Sequence, residues 1–225
     1  FDTGKESKPI LQAKQDNLDL FFMAEKLRDV CEMHVRSLLL KKDYDPGLID
    51  GMVNYLERNI DRFQEIPAVF VYYNLYQLIV CDDQKRYHLL AAIMPEYELS
   101  FRRKELQYIY DSLRNYCLLK TNQGNRKFLA EVFKLYKQQL ESGLMLDDDG
   151  LIAEWHYKNI ITAGINLGEM EWVEEFIHDY KDRLHQDLRE NAYSYNLANF
   201  YYANDEYDKA QDLLLHVEYT DVRYS

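Results

Sequence analysis

Apolar residues recur at intervals of three and four along most of this chain, which is the spacing of one buried face of an α-helix. The pattern begins at Asn17 and fades near Lys42, and it is carried by Leu20, Met23, Ala24, Leu27, Cys31, His34, Val35 and Leu38. No stretch of alternating apolar and polar residues is flanked by the turn dipeptides of a β-hairpin. The chain is therefore predicted to be all-α.

Breaks in the pattern divide the remaining chain into shorter helices. These are predicted over residues 46–63, 67–81, 84–94, 100–120, 126–142, 151–167, 169–187, 192–204 and 207–217. Asp45 and Pro46 supply a cap and a first-turn proline for the second helix, Pro67 opens the third, and Pro95 ends the fourth. The helices form about five antiparallel pairs, over 17–64, 66–95, 100–143, 150–187 and 191–218. Residues 1–15 are predicted to be a polar tail or lead-in, and 144–150 and 185–191 to be loose connections.

Four asparagines each precede a turn-forming residue by nine positions. The pairs are Asn74 with Asp83, Asn115 with Gly124, Asn159 with Gly168, and Asn196 with Asp205. Successive asparagines are 41, 44 and 37 residues apart. A helix–turn–helix unit repeated at such intervals is typical of a helical solenoid. We therefore expect a right-handed α–α superhelix, whose usual role is to hold another molecule.

The last helix pair resembles a tetratricopeptide repeat. In residues 194–221, small residues match the close-packing positions of that family and large residues match its packing positions. The matching residues are Leu197, Ala198, Tyr201, Tyr207, Ala210 and Leu214. Weaker matches cover 157–180, with Gly168 at the turn, and 113–136, with Gly124 at the turn. The second helix of the 157–180 unit departs from the pattern, because Val173 stands where an alanine is expected.

This resemblance implies that the asparagines line the inner, concave wall of the superhelix. There, amides can hydrogen-bond the backbone of a bound peptide, and the set would be Asn74, Asn115, Asn159, Asn196 and Asn199. An alternative is that each amide bonds a neighbouring helix and fixes the packing of the repeats. The resemblance thus implies a non-catalytic scaffold, without a cofactor, that binds a protein or peptide.

The formal net charge of −12 changes the range of partners that we expect. Nucleic-acid binders gain much of their affinity from Lys and Arg that release counterions, so no nucleic-acid partner is expected. RNA binding remains an alternative, because Tyr157-Lys158-Asn159-Ile160 is similar to part of a pentatricopeptide repeat. An uncapped apolar end after Val217 could associate with a second copy, which makes a homo-oligomer a further possibility.

Cysteine usage and hydropathy give an expectation for the compartment. Three cysteines are an odd number, and they are widely spaced within apolar helices, which favours reduced thiols and a cytoplasmic location. No segment approaches the ~20 consecutive apolar residues of a membrane span.

Candidate catalytic and metal-binding patterns are sparse. Glu175 and His178 share a helix face, but a di-metal bundle needs a second such pair, and none is present. The acidic run 147–150 lacks the alternating ligands of a calcium loop and is predicted to cap the following helix. No phosphate loop, nucleophile elbow or zinc motif occurs, so we expect no metal and no catalysis. An alternative is that 1–225 is the repeat region of a longer regulator or enzyme, whose chemistry lies elsewhere.

Overall fold

The computed structural model describes residues 7–215 and 217, and over these residues the all-α prediction is confirmed. The α-helices are α1 Ser7–Leu40, α2 Ile49–Arg58, α3 Ile60–Phe63, α4 Pro67–Ile79, α5 Lys85–Tyr97, α6 Arg103–Asn122, α7 Lys127–Glu141, α8 Glu154–Leu167, α9 Met170–Asp179, α10 Gln186–Ala203 and α11 Tyr207–Leu214. Two 3-10 turns, Glu98–Ser100 and Lys181–Arg183, follow α5 and α9. Within the described ranges, β-structure is limited to two isolated bridges.

The first helix begins earlier than its apolar pattern predicts. It starts at Ser7 rather than Asn17, so residues 7–15, predicted to belong to a polar tail or lead-in, are part of α1, while residues 1–6 lie outside the described residues. Polar contacts along the helix explain the difference, since the Gln12 and Gln15 side chains donate to the carboxylates four residues later, at 3.0 and 3.2 Å. Such i, i+4 pairs stabilise a helix without apolar periodicity.

Prolines mark two helix boundaries incorrectly. Pro46 does not open α2, because the Gly47 backbone N–H donates to the Asp45 carboxylate at 2.8 Å and Gly47 adopts a φ of +60°. The chain therefore turns before Ile49, where the helix begins. Pro95 does not end α5, which continues to Tyr97, whereas Pro67 opens α4 as predicted.

The chain forms two compact units, Phe1–Leu113 and Arg114–Ser225. In the first unit, called unit 1, α4 is the central element and packs along α1 and α5. Its buried residues lie on all sides of the helix: Val69, Val71, Tyr72, Tyr73, Asn74, Leu75, Tyr76 and Leu78. A helix that is apolar all round is typical of a core position.

The second unit, called unit 2, is built from helices that pack on their neighbours in chain order. α8 contacts α7, α9 and α10, and α10 contacts α8, α9 and α11. Buried aromatic and branched side chains fill the spaces between them, including Phe133 of α7, Tyr157 and Ile160 of α8, and Phe176 of α9. The Tyr157 hydroxyl donates to the Ile177 carbonyl at 2.7 Å, and its burial raises the pKa of this tyrosine.

Three turns of unit 2 share one hydrogen-bond pattern. Gly124, Gly168 and Asp205 all have positive φ, of +95°, +78° and +62°. In each turn the next residue donates its N–H to the carbonyl five positions earlier, at 2.9–3.0 Å, which is the Schellman motif that ends a helix. The predicted turns at these three positions are confirmed.

The fourth predicted turn, at Asp83 in unit 1, has a different geometry. The residue with positive φ is Asp82, at +53°, and the Asp83 N–H donates to the carbonyl of Gln77, six positions earlier. The nine-residue spacing therefore corresponds to a common structure in unit 2 only.

Both predicted loose connections are more ordered than expected. The Asp147 carboxylate accepts the backbone N–H groups of Asp149 and Leu151 at 3.0 and 2.8 Å, so it closes its own loop and does not cap α8. Residues from Gln186 onward are already helical, because α10 begins there. The boundary between the last two helix pairs therefore lies before residue 186.

Among the helices of the described part of the chain, none combines the length and the apolar character needed to cross a bilayer.

Candidate functional site

Asn74 is a packing residue of unit 1. It is 0% exposed, and its amide nitrogen donates to the Phe70 carbonyl of its own helix at 2.8 Å. Its amide oxygen accepts from the Arg86 guanidinium on α5 at 3.1 Å. The amide nitrogen is thus satisfied within α4, and the amide oxygen joins α4 to α5, as the packing alternative states.

Asn196 is also buried, at 1% exposure, and donates to the Ala192 carbonyl at 2.8 Å. Its amide oxygen accepts no hydrogen bond from the described residues. Neither Asn74 nor Asn196 is accessible to a bound peptide, so the expected amide ladder is wrong at these two positions. The physical reason is that neighbouring helices cover this face of α4 and α10.

The other three amides of the set remain on the surface of unit 2. Asn115, on α6, and Asn159, on α8, are exposed, and Asn199, on α10, is half-buried. Their side chains make no hydrogen bond with the described residues, so the amides can bond other molecules. The helices α8 and α10 pack on each other, and therefore Asn159 and Asn199 belong to adjoining helices.

These two amides lie among aromatic side chains on a surface that we call the α8–α10 face. It comprises Trp155, Lys158, Asn159, Tyr195, Asn199 and Tyr202. On α8, Trp155 lies three residues before Lys158 and four before Asn159. On α10, Asn199 follows Tyr195 by four residues, and Tyr202 follows Asn199 by three. Residues at these spacings share one side of a helix.

A cation–π contact joins the two helices across the α8–α10 face. The Lys158 ammonium lies 5.2 Å from the centre of the Tyr195 ring. Trp155 is 58% exposed and Tyr202 is 67% exposed. The face therefore offers apolar rings, two amides and one cation, and it carries no carboxylate among its six members.

The residues predicted to pack the last repeat divide into three environments. Leu197, Ala198 and Ala210 are buried, and Tyr201 and Leu214 are half-buried. Tyr207 is 54% exposed, so it does not serve as a core packing residue. Its ring meets the edge of Tyr202 at 5.4 Å, and its hydroxyl donates to Asp205 at 2.5 Å. Residues 216 and 218–221 of this repeat lie outside the described residues.

Glu175 and His178, whose spacing alone does not predict a metal site, form no such site within the described residues, and His178 contacts a tyrosine. His178 Nδ1 is 3.0 Å from the Tyr193 hydroxyl on α10. Across residues 7–215 and 217, no group of three or more His, Cys, Asp or Glu side chains is arranged to hold a metal ion.

An aromatic column on α9 escaped the sequence reasoning. Trp172 stacks on Phe176 at 5.2 Å with an interplanar angle of 8°, and Phe176 lies 4.6 Å from Tyr180. Successive rings are four residues apart along the chain, and this spacing predicts that they share one side of the helix. Phe133 of α7, which meets the edge of Trp172 at 4.9 Å, is distant in the chain and gave no signal.

Comparison with known proteins adds no relative to this picture. No protein-family model matches the chain, and neither a characterised protein nor a solved structure is significantly similar to it.

Proposed function

We propose that this chain is a tetratricopeptide-like repeat scaffold, without catalysis of its own, that binds an extended peptide segment of a protein partner. The peptide lies on the α8–α10 face. In this proposal the stacked helix pairs form a right-handed superhelix, and α8 and α10 are the inner helices of their repeats. The identical turns after α6, α8 and α10 support this assignment, because a common turn gives successive helix pairs a common local geometry.

The observation that carries the proposal is the exposure of Trp155 and Tyr202 beside amides with unused hydrogen-bonding groups. Large aromatic side chains are mostly well buried in a soluble protein, and exposed ones are characteristic of the centres of binding surfaces. Asn159 and Asn199 each offer one acceptor and two donors, which is the chemistry that a peptide backbone requires. In this proposal the rings contact the side chains of the peptide, and the amides hydrogen-bond its backbone.

Preorganisation is the second part of the mechanism. The six side chains project from two helices that pack on each other, and Lys158 already rests on Tyr195. Little conformational entropy is therefore lost by the protein when a peptide binds. Two amides take the place of the five that the sequence resemblance implied.

A peptide library tests this assignment. The 225-residue protein is used to select linear peptides, an enriched sequence is synthesised, and its Kd is measured by isothermal titration calorimetry. The double variant W155A/Y202A is expected to weaken binding at least tenfold, because truncation of an aromatic hot spot costs about 2 kcal/mol or more. Asn159→Ala is expected to weaken binding less, by about 1 kcal/mol, since it removes hydrogen bonds alone.

Leu99→Ala is the matched control, because Leu99 is a fully exposed apolar side chain of unit 1. Its Kd should equal that of the unchanged protein. An unchanged Kd for W155A/Y202A, or equal losses in the control, would remove the α8–α10 face as the peptide site.

A further inference from the structure

We propose that the groove between α7 and α9 is a second binding site, which takes an arginine side chain from a basic segment of a protein partner. The groove encloses about 190 Å³. Lys137 and Glu141 line it from α7, and Trp172, Glu175, Asp179 and Tyr180 line it from α9 and its C-terminal end. None of these residues belongs to the α8–α10 face.

Aromatic rings form one wall of the groove. Trp172 and Tyr180 are half-buried, and both pack on the buried ring of Phe176, at 5.2 and 4.6 Å. Phe133 supports the Trp172 ring from below at 4.9 Å. The rings are thus held in place before a ligand arrives, and each leaves part of its surface open to the groove.

Carboxylates form the rim. Glu141, Glu175 and Asp179 are exposed, and their side chains make no hydrogen bond or ion pair with the residues that the structure describes. Glu175 and Asp179 are four residues apart on one helix, where like charges repel each other. The segment 170–179 contains four acidic residues and no Lys or Arg. A cation placed between these carboxylates would relieve the repulsion and complete their hydrogen bonding.

Lys137 shows that the aromatic wall accepts a cation. Its ammonium lies 4.7 Å from the centre of Phe133 and 6.0 Å from that of Trp172. This side chain occupies one end of the groove and makes no ion pair with the described residues. At the other end of the groove, Arg183 acts electrostatically on Tyr180, but within the described part of the chain no cation stacks on the Tyr180 ring.

The size and chemistry of the groove select its occupant. Ligand pockets for whole small molecules typically enclose about 300–1,000 Å³, so this groove fits a single side chain better than a cofactor. An apolar side chain would leave the carboxylates without a partner. A guanidinium can lie flat on an aromatic ring and donate to two carboxylates together, which an ammonium cannot do equally well.

The test uses a short labelled peptide with one arginine among glycines and serines, added to the full 225-residue protein. Binding is followed by the NMR shift of the Trp172 indole N–H. We expect the matched citrulline peptide, which is isosteric but neutral, to bind at least tenfold more weakly. The isosteric variant E175Q/D179N should lose binding of the arginine peptide by a similar factor.

The control variant E171Q/E174Q removes the same charge from exposed positions of α9 outside the groove and should retain binding within a factor of two. Equal loss in this control would show a net-charge effect and overturn the site. Equal binding of the citrulline peptide, or no shift of Trp172 with either peptide, would also overturn it. The variant W155A/Y202A should leave this binding unchanged, so failure here is distinct from failure of the α8–α10 face.

Discussion

The α8–α9 and α10–α11 hairpins have the same turn, but large and small residues stand on opposite helices at matching distances from it. Four residues before the left-handed turn residue stands Gly164 in the first hairpin and Tyr201 in the second, and five residues after it stand Val173 and Ala210. A Cβ added to Gly164 would meet Val173 Cγ2 at 2.3 Å, so the valine methyl occupies the space above the glycine. In the second hairpin the large residue is on the first helix and the small one is on the second.

The comparison concerns a position where the sequence differs from the tetratricopeptide pattern that the last helix pair resembles. That pattern expects a small residue at position 173, and the structure supplies the small residue on the facing helix instead. Close packing constrains the combined volume of two facing side chains more strongly than the identity of either one. The hydrogen bonds of the turn fix the arrangement of the two helices, and the large side chain between them can then come from either helix.

Among the substitutions that test this comparison, Gly164→Ala is expected to change the free energy of unfolding most. The new methyl would also lie 3.1 Å from the Phe133 ring, so both neighbours must move. We expect the free energy of unfolding to fall by about 1–3 kcal/mol, after a gain of up to ~1 kcal/mol from helix propensity. Urea denaturation followed by circular dichroism measures the change.

Gly51→Ala in α2 is the matched control for that substitution. A Cβ at this position meets no atom within 4 Å, so the variant should be more stable by about 0.5–1 kcal/mol. The double variant G164A/V173A exchanges the bulk between the helices and should recover part of the loss. Full stability of Gly164→Ala alone would contradict the idea of a shared volume.

The second prediction concerns the turns at Gly168 and Asp205, where substitutions should have intermediate effects on the free energy of unfolding. Gly168→Ala forces an L residue into a φ of +78° without any steric contact within 4 Å, and should lower stability by about 1 kcal/mol. Asp205→Gly removes the same conformational cost from the other hairpin but loses the acceptor of the Tyr207 hydroxyl. A net gain of about 0.5 kcal/mol in urea denaturation is expected.

Asp205→Ala separates the two contributions at that turn, because it keeps the conformational cost and loses only the acceptor. It should be less stable than both the unchanged protein and Asp205→Gly. If Asp205→Gly were instead less stable than the unchanged protein but still more stable than Asp205→Ala, the hydrogen bond to Tyr207 would outweigh the backbone conformation.

The third and smallest prediction concerns pH and the start of α11. Hydrogen bonds from Lys209 and Asn204 lower the pKa of Glu206 below its ordinary value. The folded state therefore favours the ionised carboxylate, and its stabilisation is present above the unfolded pKa and lost as the pH falls through the lower folded pKa. The stability difference between the unchanged protein and Glu206→Gln should shrink across this interval. A difference that stays constant from pH 6 to pH 3 would show that these bonds do not couple to titration.

Local chemistry in the chain was sufficient to predict the all-α content and three of the turns, although several helix bounds differ. Gly124 and Gly168 predict helix ends because their backbone reaches positive φ without cost, and apolar steps of three and four predict one buried helix face. The start of α1 was missed because its first turns are stabilised by polar pairs, which leave no apolar period.

Tertiary structure alone decided which polar positions of the helices are covered. Asn159 and Asn196 stand at the same distance from their turns, yet Asn159 is exposed and Asn196 is buried. The spacing sets the direction of a side chain relative to its own turn, but burial depends on which neighbouring helix lies in that direction. The same holds for the packing of Val173 on Gly164 and of Phe133 on Trp172. Both depend on contacts between residues of different helices.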